Sequence, residues 1–155
     1  MKTFFFYKEL CDMCKKCEIA CVEACKNGSE LTRKAAPFIH IVFGIDGPNH
    51  IQCRHCEEPP CVDACIGVSL YKGNYIVGQS EERCIGCLMC NMVCPYGVPQ
   101  PVYEMEKMAK CCFQCGEIDN PPCVKACDRG ALKLSFPQIE LKKIRRQRVE
   151  KFIRR

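Results

Sequence analysis

The 155-residue sequence has no tryptophan and only three histidines, and aromatic residues make up 8% of it. Few large side chains are therefore available for a conventional apolar core, although a chain of this length can form one domain. The apolar run at residues 4–7 is far shorter than the roughly 20 residues that cross a bilayer, and shorter than the centre of a secretory signal. We therefore expect a cytoplasmic location, with export alongside a partner chain that carries its own signal as the alternative.

The sequence also lacks the familiar arrangements of catalytic residues. It contains no evident Ser–His–Asp set, no glycine-rich loop of the kind that binds phosphate, and no carboxylate pair suited to acid–base chemistry. We therefore expect that the chain is not an enzyme by itself.

Cysteine, in contrast, is abundant, with 18 residues. Sixteen of them form four groups of four: Cys11, Cys14, Cys17 and Cys21; Cys53, Cys56, Cys61 and Cys65; Cys84, Cys87, Cys90 and Cys94; and Cys112, Cys115, Cys123 and Cys127. The third group reads C-x2-C-x2-C-x3-C-P, the spacing of bacterial [4Fe–4S] sites, and the first has the same cysteine spacing. A disulfide-rich secreted domain is the alternative, but nothing indicates secretion and the close triplets suit an iron–sulfur site better.

Each iron of a [4Fe–4S] cluster is tetrahedral and needs one terminal ligand besides three sulfides, and thiolate is the soft anionic donor that suits it. A C-x2-C-x2-C loop can supply three such ligands, and in two-cluster bacterial ferredoxins the fourth cysteine of the run binds the other cluster. Zinc is the alternative metal, and zinc knuckles with a basic tail would indicate an RNA-binding protein. The close triplets argue against zinc, and the missing aromatic platforms argue against RNA binding.

The second and fourth groups lie in an internal repeat. Residues 59–65 read PPCVDAC and residues 121–127 read PPCVKAC, so they differ only at Asp63 and Lys125. The first and third groups share the other spacing, and the order along the chain is therefore A-B-A-B. This order indicates a duplicated two-cluster unit.

The pattern of apolar residues predicts short elements around these groups. Strands are expected at residues 4–7, 40–43, 70–71 with 75–77, and 131–134, with a hairpin turn at residues 72–74. Short helices are expected after the triplets, as at residues 17–26 and 90–94, and residues 26–52 form the longest connection without a cysteine group. We expect a cysteine-rich domain at residues 1–137 and a helical tail at residues 138–155.

The tail is strongly basic, with eight Lys and Arg against two Glu. At 100° per residue, its apolar positions occupy about half of the helical wheel, which predicts an amphipathic helix. These positions are Leu141, Ile144, Val149, Phe152 and Ile153. We expect docking onto a partner subunit or self-association. A solvated helix, contact with an anionic membrane and nucleic-acid binding, in that order, are the alternatives.

Two stretches carry a resemblance to a known family: CRHCEEPPC at residues 53–61 and CIGCLMC at residues 84–90. With the four cysteine groups, they resemble the four-cluster electron-transfer subunits of molybdenum and tungsten oxidoreductases of the dimethyl-sulfoxide-reductase type. They are also similar to the iron–sulfur protein associated with nickel CO dehydrogenases and to the small subunits of tungsten aldehyde oxidoreductases. The resemblance covers residues 1–135.

The resemblance implies a small α+β polyferredoxin with duplicated ferredoxin-like halves around a pseudo-twofold axis, followed by the C-terminal basic helix. It implies four [4Fe–4S] clusters whose ligands cross between groups. The implied ligand sets are Cys11, Cys14, Cys17 with Cys127; Cys112, Cys115, Cys123 with Cys21; Cys53, Cys56, Cys61 with Cys94; and Cys84, Cys87, Cys90 with Cys65. The implied function is electron relay between a catalytic subunit (a CO dehydrogenase, or a molybdenum or tungsten aldehyde or formate oxidoreductase) and a second redox protein. An anaerobic setting is expected, and a freely diffusing ferredoxin is the alternative.

Three further residues have open roles. Cys25 and Cys111 are surplus to the four groups, and each could replace a neighbouring ligand, Cys21 or Cys112, or be a small buried residue. His55 lies inside a C-x2-C loop, where its ring could donate a hydrogen bond to a ligand sulfur or could simply be part of a half-exposed loop.

Overall fold

The computed structural model describes residues 2–74, 76–109 and 120–153, apart from the side chain of Lys151. The strands within these ranges are β1 (Thr3–Phe6), β2 (Ile39–Gly44), β3 (Gly47–Gln52), β4 (Leu70–Lys72), β5 (Val77–Gln79), β6 (Gln100–Val102), β7 (Lys107–Ala109) and β8 (Leu132–Ser135). The α-helices are α1 (Lys16–Cys25), α2 (Glu30–Lys34), α3 (Pro60–Asp63), α4 (Met89–Met92), α5 (Pro122–Lys125) and α6 (Pro137–Ile153). The chain is therefore a small α+β protein, as predicted.

The strands pair two by two in antiparallel fashion, and one pair joins distant parts of the chain. β1 pairs with β8, so that Phe4 lies opposite Leu134. The other described pairs, β2–β3, β4–β5 and β6–β7, join strands that are neighbours in sequence. The β1–β8 pair therefore holds the first cysteine group close to the end of the fourth.

The predicted strands are confirmed at β1, β2, β4 and β8, within one or two residues at each end. The hairpin turn after β4 is also confirmed, because the Gly73 N–H donates to the Ile76 carbonyl at 2.8 Å. Strands β3, β6 and β7 and helix α2 were not predicted. β3 reads GPNHIQ, with Pro and Asn disfavoured in strands, and it forms because Gly47, at φ 102°, turns the chain back along β2.

The short helices begin where local sequence favours them. α3 and α5 each have proline at the first helical position, where its fixed φ suits the helix and its missing N–H costs no hydrogen bond. α1 places Cys17, Cys21 and Cys25 one turn apart on the same face, and all three are buried. The predicted short helices after the first and third triplets are thus confirmed.

The described interior consists of two apolar clusters that contain many cysteines. The larger cluster includes the buried Leu31, Phe38 and Ile39 together with the cysteines of α1 and Cys123 of α5. The smaller contains Cys61, Leu70, Val77, Cys90 and Met108. Thiols thus occupy positions that aliphatic side chains usually fill, and several candidate metal ligands, including Cys17, Cys21, Cys61, Cys90 and Cys123, are core residues.

The predicted C-terminal helix is confirmed as α6. Glu140 in its first turn is only 2% exposed and accepts hydrogen bonds from the Tyr7 hydroxyl and, at 2.9 Å, from Lys143 Nζ. Beyond this anchor, Leu141, Val149 and Phe152 are exposed.

The prediction that α6 is amphipathic is wrong. Its polar and apolar faces are poorly separated, because Arg145 and Arg148 fall next to Leu141 and Phe152 on the helical wheel. None of the helices that the structure describes combines the length and apolar character needed to span a bilayer.

Candidate metal centres

The C-x2-C-x2-C loops of the first and third groups have the same backbone turn. Met13 and Lys15 in the first loop have φ values of 60° and 58°, and Gly86 and Leu88 at the corresponding places have 66° and 64°. Two left-handed residues in so short a loop curl the chain, so that the three cysteines surround a common space. At Gly86 a side chain would also collide, since a Cβ there would lie 2.1 Å from the Glu106 carbonyl oxygen.

Three cysteine-lined cavities are described among the residues that the structure covers, and the largest of these three lies beside the first loop, opens to solvent and has about 750 Å³ of empty space. We call it the first cavity, and the cysteines that line it are Cys11, Cys14, Cys17 and Cys127. Cys127 comes from the loop after α5, more than 100 residues further along the chain, and it is brought here by the β1–β8 pair. These four cysteines are the first set that the resemblance implies.

Two smaller cavities also contain four cysteines each. The second cavity is lined by Cys53, Cys56, Cys61 and Cys94, with about 340 Å³ of empty space. The third cavity is lined by Cys84, Cys87, Cys90 and Cys65, with about 330 Å³ of empty space. In the second cavity the fourth cysteine, Cys94, comes from the third group. In the third cavity the fourth cysteine, Cys65, comes from the second group. The structure thus brings together three of the four sets of side chains that the resemblance implies.

The remaining implied set lies partly outside the described residues. Cys112 and Cys115, like the surplus Cys111, fall in the stretch 110–119, which the structure does not describe. The other two members, Cys21 on α1 and Cys123 on α5, are each 3% exposed and belong to the same core cluster.

Main-chain N–H groups point at several of the cysteine sulfurs. Cys21 Sγ accepts a hydrogen bond from the Phe38 N–H at 3.3 Å. Cys65 Sγ accepts two, from the Ser69 N–H at 3.2 Å and the Leu70 N–H at 3.4 Å. Cys127 Sγ accepts one from the Leu132 N–H at 3.4 Å. Cys84 Sγ accepts from Met108 N at 3.3 Å. Hydrogen bonds to sulfur favour the thiolate form and tune the potential of a cluster that it binds.

Burial has the opposite effect on two of the buried thiols. It raises the pKa of Cys17 to about 11 and the pKa of Cys90 to about 11. Without metal these thiols are therefore neutral at pH 7, and binding of iron has to displace their protons. A cavity lined by four cysteines, with N–H donors aimed at sulfur, fits a [4Fe–4S] cluster, whose irons each need one thiolate.

No His, Cys, Asp and Glu side chains in the described ranges form a group of three or more that could hold a single metal ion.

His55 interacts with the sulfur of Cys53 through its main-chain N–H. Its N–H donates to Cys53 Sγ at 3.5 Å, while its ring Nδ1 accepts the Val77 N–H at 3.1 Å. An Nδ1 that accepts carries no proton, so the ring does not donate to the Cys53 sulfur, 3.9 Å away. The hypothesis of a ring-to-sulfur hydrogen bond is therefore not supported, and the left-handed φ of 47° at His55 is what directs its N–H to the sulfur.

The residues that surround the cavities were not predicted from the sequence. Around the first cavity, Lys16 pairs with Asp128, and Arg129 pairs with Asp12 at 2.8 Å. Around the third cavity, the corresponding loops carry exposed apolar residues instead. The difference between the two cavities could have been found in the sequence, because aligning the two A-B units places charged residues of one opposite apolar residues of the other.

Cysteine side chains from distant parts of the chain that line shared cavities define an iron–sulfur protein. The comparisons agree, since residues 49–136 match the family described as a 4Fe-4S dicluster domain. The chain belongs to this family, and it is an iron–sulfur electron-transfer protein.

Individual relatives share about a third of the sequence. The chain is 35% identical to the B subunit of anaerobic dimethyl sulfoxide reductase of Escherichia coli K12, over 90% of this chain and 75% of the relative. It is 34% identical to YnfG, a probable anaerobic dimethyl sulfoxide reductase subunit of the same strain, over 84% of this chain and 71% of that relative. It is 31% identical to the electron transport protein HydN of that strain, over 79% and 81%. The predicted resemblance to iron–sulfur subunits of the dimethyl-sulfoxide-reductase type is thereby confirmed.

Proposed function

We propose that this protein relays electrons through four [4Fe–4S] clusters between a catalytic oxidoreductase subunit and a second redox protein. When bound, such clusters take up and release single electrons. The chain itself would hold each cluster with four cysteines, shield it with the apolar residues of the two core clusters, and tune it with main-chain N–H donors.

The ligands are proposed as the resemblance implies them. Support comes above all from the first cavity, where Cys127 meets Cys11, Cys14 and Cys17. The same crossing at the second and third cavities supports two ferredoxin-like halves that arose by duplication. The fourth set, Cys112, Cys115, Cys123 and Cys21, follows by the symmetry of the repeat.

The domain boundary, location and partner are also part of the proposal. Residues 1–137 form the cluster-binding domain and residues 138–155 a basic helix that docks onto a partner, with the cytoplasm as the site of action. The relatives named as dimethyl sulfoxide reductase subunits favour a catalytic subunit of that type, ahead of a CO dehydrogenase or a tungsten aldehyde oxidoreductase. The relative named only as an electron transport protein favours the second possibility, a freely diffusing carrier.

Metal analysis of the anaerobically purified protein tests the proposal. Four clusters require about 16 iron and 16 acid-labile sulfide per chain. The protein should be brown and should bleach with dithionite. About eight of each would contradict the count of four clusters, and zinc without sulfide would contradict an iron–sulfur function altogether.

Co-purification from the native host separates a bound subunit from a free carrier. A stable complex with a molybdenum or tungsten protein would support the subunit role. Elution of the chain alone, with its full iron content, would support the diffusing carrier.

A further inference from the structure

The first and third cavities are built from corresponding loops, but the residues at their mouths differ completely in chemistry. The cysteine spacing aligns residues 84–90 with residues 11–17, and residues 65–70 with residues 127–132. The aligned pairs around the two mouths are Asp12 with Ile85, Lys15 with Leu88, Lys16 with Met89, Asp128 with Ile66, and Gly130 with Val68. Four charged residues at the first cavity, Asp12, Lys15, Lys16 and Asp128, thus correspond to apolar residues at the third.

The charged residues of the first cavity satisfy one another. Lys16 pairs with Asp128 and Arg129 with Asp12, and both pairs cross between the loop of Cys14 and the loop of Cys127. Four charged side chains at this mouth are therefore paired within the chain.

The apolar residues of the third cavity are left in solvent. Ile66, Val68, Ile85 and Leu88, which we call the apolar rim, have exposed fractions of 71%, 63%, 63% and 43%. The two loops that carry the rim residues touch each other, because a Cβ at Gly67 would lie 2.6 Å from the Arg83 carbonyl oxygen and 3.6 Å from Ile85 Cγ1. Cys87, which lies between Ile85 and Leu88 in sequence, is itself exposed.

The charges around the apolar rim are mainly negative. The segments next to it carry Asp63, Glu81, Glu82 and Glu106 against Arg83 and Lys107. Lys107 keeps its positive charge while it donates to the Glu81 carbonyl oxygen at 2.8 Å, so these residues together carry a net charge of −2. Thiolates bound to iron would add further negative charge in the centre.

We propose that the apolar rim is the surface through which this protein exchanges electrons with a redox protein that presents an apolar face ringed by Lys or Arg. The inference rests on the proposed function and assigns one end of the relay to the third cavity. An apolar centre with a charged border is the usual composition of a protein interface, and contacts between redox partners are small and transient. Charge complementarity would orient the partner, and the apolar contact would bring its redox centre close to Cys87.

Mitochondrial cytochrome c, whose haem edge is ringed by lysines, is a suitable probe. Binding to the oxidised holoprotein is measured by titration calorimetry, without electron transfer. The double variant Ile66→Ser, Ile85→Ser should weaken the Kd about tenfold, as expected when central interface contacts are removed. The single variant Ile66→Ser, at the most exposed rim position, should weaken it less and keeps the test valid if the double variant loses iron.

The matched control is Ile45→Ser. Ile45 is fully exposed in the β2–β3 turn and lines none of the three described cavities. This variant should leave the Kd unchanged. Equal weakening by Ile45→Ser and the rim variants would overturn the proposal.

Electron transfer gives a second measurement. After reduction with dithionite and removal of the excess, one electron leaves the holoprotein and converts ferric to ferrous haem, with no proton transferred. The double variant should slow this step about tenfold at low salt, while oxidation by the small anion ferricyanide stays unchanged. Higher salt should slow the wild type.

Unchanged binding and rate in the rim variants would overturn the docking surface alone. A holoprotein that neither dithionite reduces nor ferricyanide oxidises would overturn the proposed function and this inference with it. A wild-type dimer that becomes monomeric in the double variant would show that a second copy of the chain covers the rim, and would also overturn the proposal.

Discussion

At the scale of single residues, two buried cysteines of α1, Cys21 and Cys25, have different expected roles. Cys21, Cys65 and Cys127 stand at the fourth place of their groups, and each accepts a main-chain N–H. Cys25 lies one helical turn beyond Cys21 and is buried against the larger core cluster. Cys21 completes the C-x2-C-x2-C-x3-C spacing that the first group shares with the third, and Cys25 lies outside that spacing, so Cys21 is the expected iron ligand.

We therefore expect Cys21→Ser to lose about four iron per chain and Cys25→Ser to lose none. Iron and sulfide analysis after anaerobic reconstitution measures both. Full iron content in Cys21→Ser together with loss in Cys25→Ser would reverse the assignment.

At the scale of elements, α6 is fastened to the body through a buried carboxylate. The Glu140 carboxylate accepts a hydrogen bond from the hydroxyl of Tyr7, which directly follows β1. The pKa of Tyr7 is raised to about 12, mainly by burial and to a smaller extent by this carboxylate. The hydrogen bond from Tyr7 is the main cause of a lowered pKa at Glu140. The two shifts describe the same bond, in which the tyrosine stays protonated and the carboxylate stays charged.

Replacing Glu140 by Gln should weaken the anchoring of α6 by about 1.5–3 kcal/mol, the usual range for a hydrogen bond to a charged group. Amide hydrogen exchange in α6 measures this local opening without unfolding the whole protein. Glu150→Gln is the control, because Glu150 is exposed and its pair with Arg146, at 3.4 Å, lies on the surface. Equal exchange in both variants would contradict the anchor.

The pH dependence follows from the direction of the shift. Because the folded pKa of Glu140 is lowered, its stabilisation is present above the unfolded pKa, about 4.3, and is lost as pH falls through the lower folded pKa. The exchange difference between wild type and Glu140→Gln should therefore stay constant between about pH 7 and pH 5.

At the scale of the whole molecule, sulfurs that are distant in sequence share a cavity. Cys11 and Cys127 line the first cavity, whereas Cys94 lines the second. If each cavity holds one cluster, two variants in the same cavity remove the same irons, whereas two variants in different cavities remove different irons.

Accordingly, Cys11→Ser, Cys127→Ser and their double variant should each lose about four iron, and Cys127→Ser combined with Cys94→Ser should lose about eight. Iron per chain is again the measurement. A loss of about eight in the Cys11 and Cys127 double variant would mean that each group binds its own metal locally.

Much of the candidate site could be predicted, because the spacing of cysteines along a short loop determines which of them can bind the same cluster. The short strands β1, β2, β4 and β8 could also be predicted, since apolar, aromatic or β-branched residues make up at least half of each. Strand β3 and helix α2 could not, because residues 26–52 carry Gly and Pro in a pattern typical of a loop. β3 depends on the turn at Gly47, and α2 is held by the burial of Leu31 in the larger core cluster.

The chemistry at the cavity mouths could not be predicted for a different reason. Ile66 and Ile85 lie in separate loops, and their proximity depends on the close approach at Gly67. The same holds for Glu140, whose partner Tyr7 lies at the other end of the chain. Contacts between distant loops become visible only in three dimensions.

The pairing of β1 with β8 has a consequence for biosynthesis. The first cavity needs Cys127, and the strand that positions it ends at Ser135, so a nascent chain cannot complete this site until the ribosome has made most of the polypeptide. The second and third cavities draw their cysteines from residues 53–94 and can be assembled earlier. Maturation should thus proceed from the middle of the chain outward, and a truncated translation product would emerge with its central sites filled and its first site open.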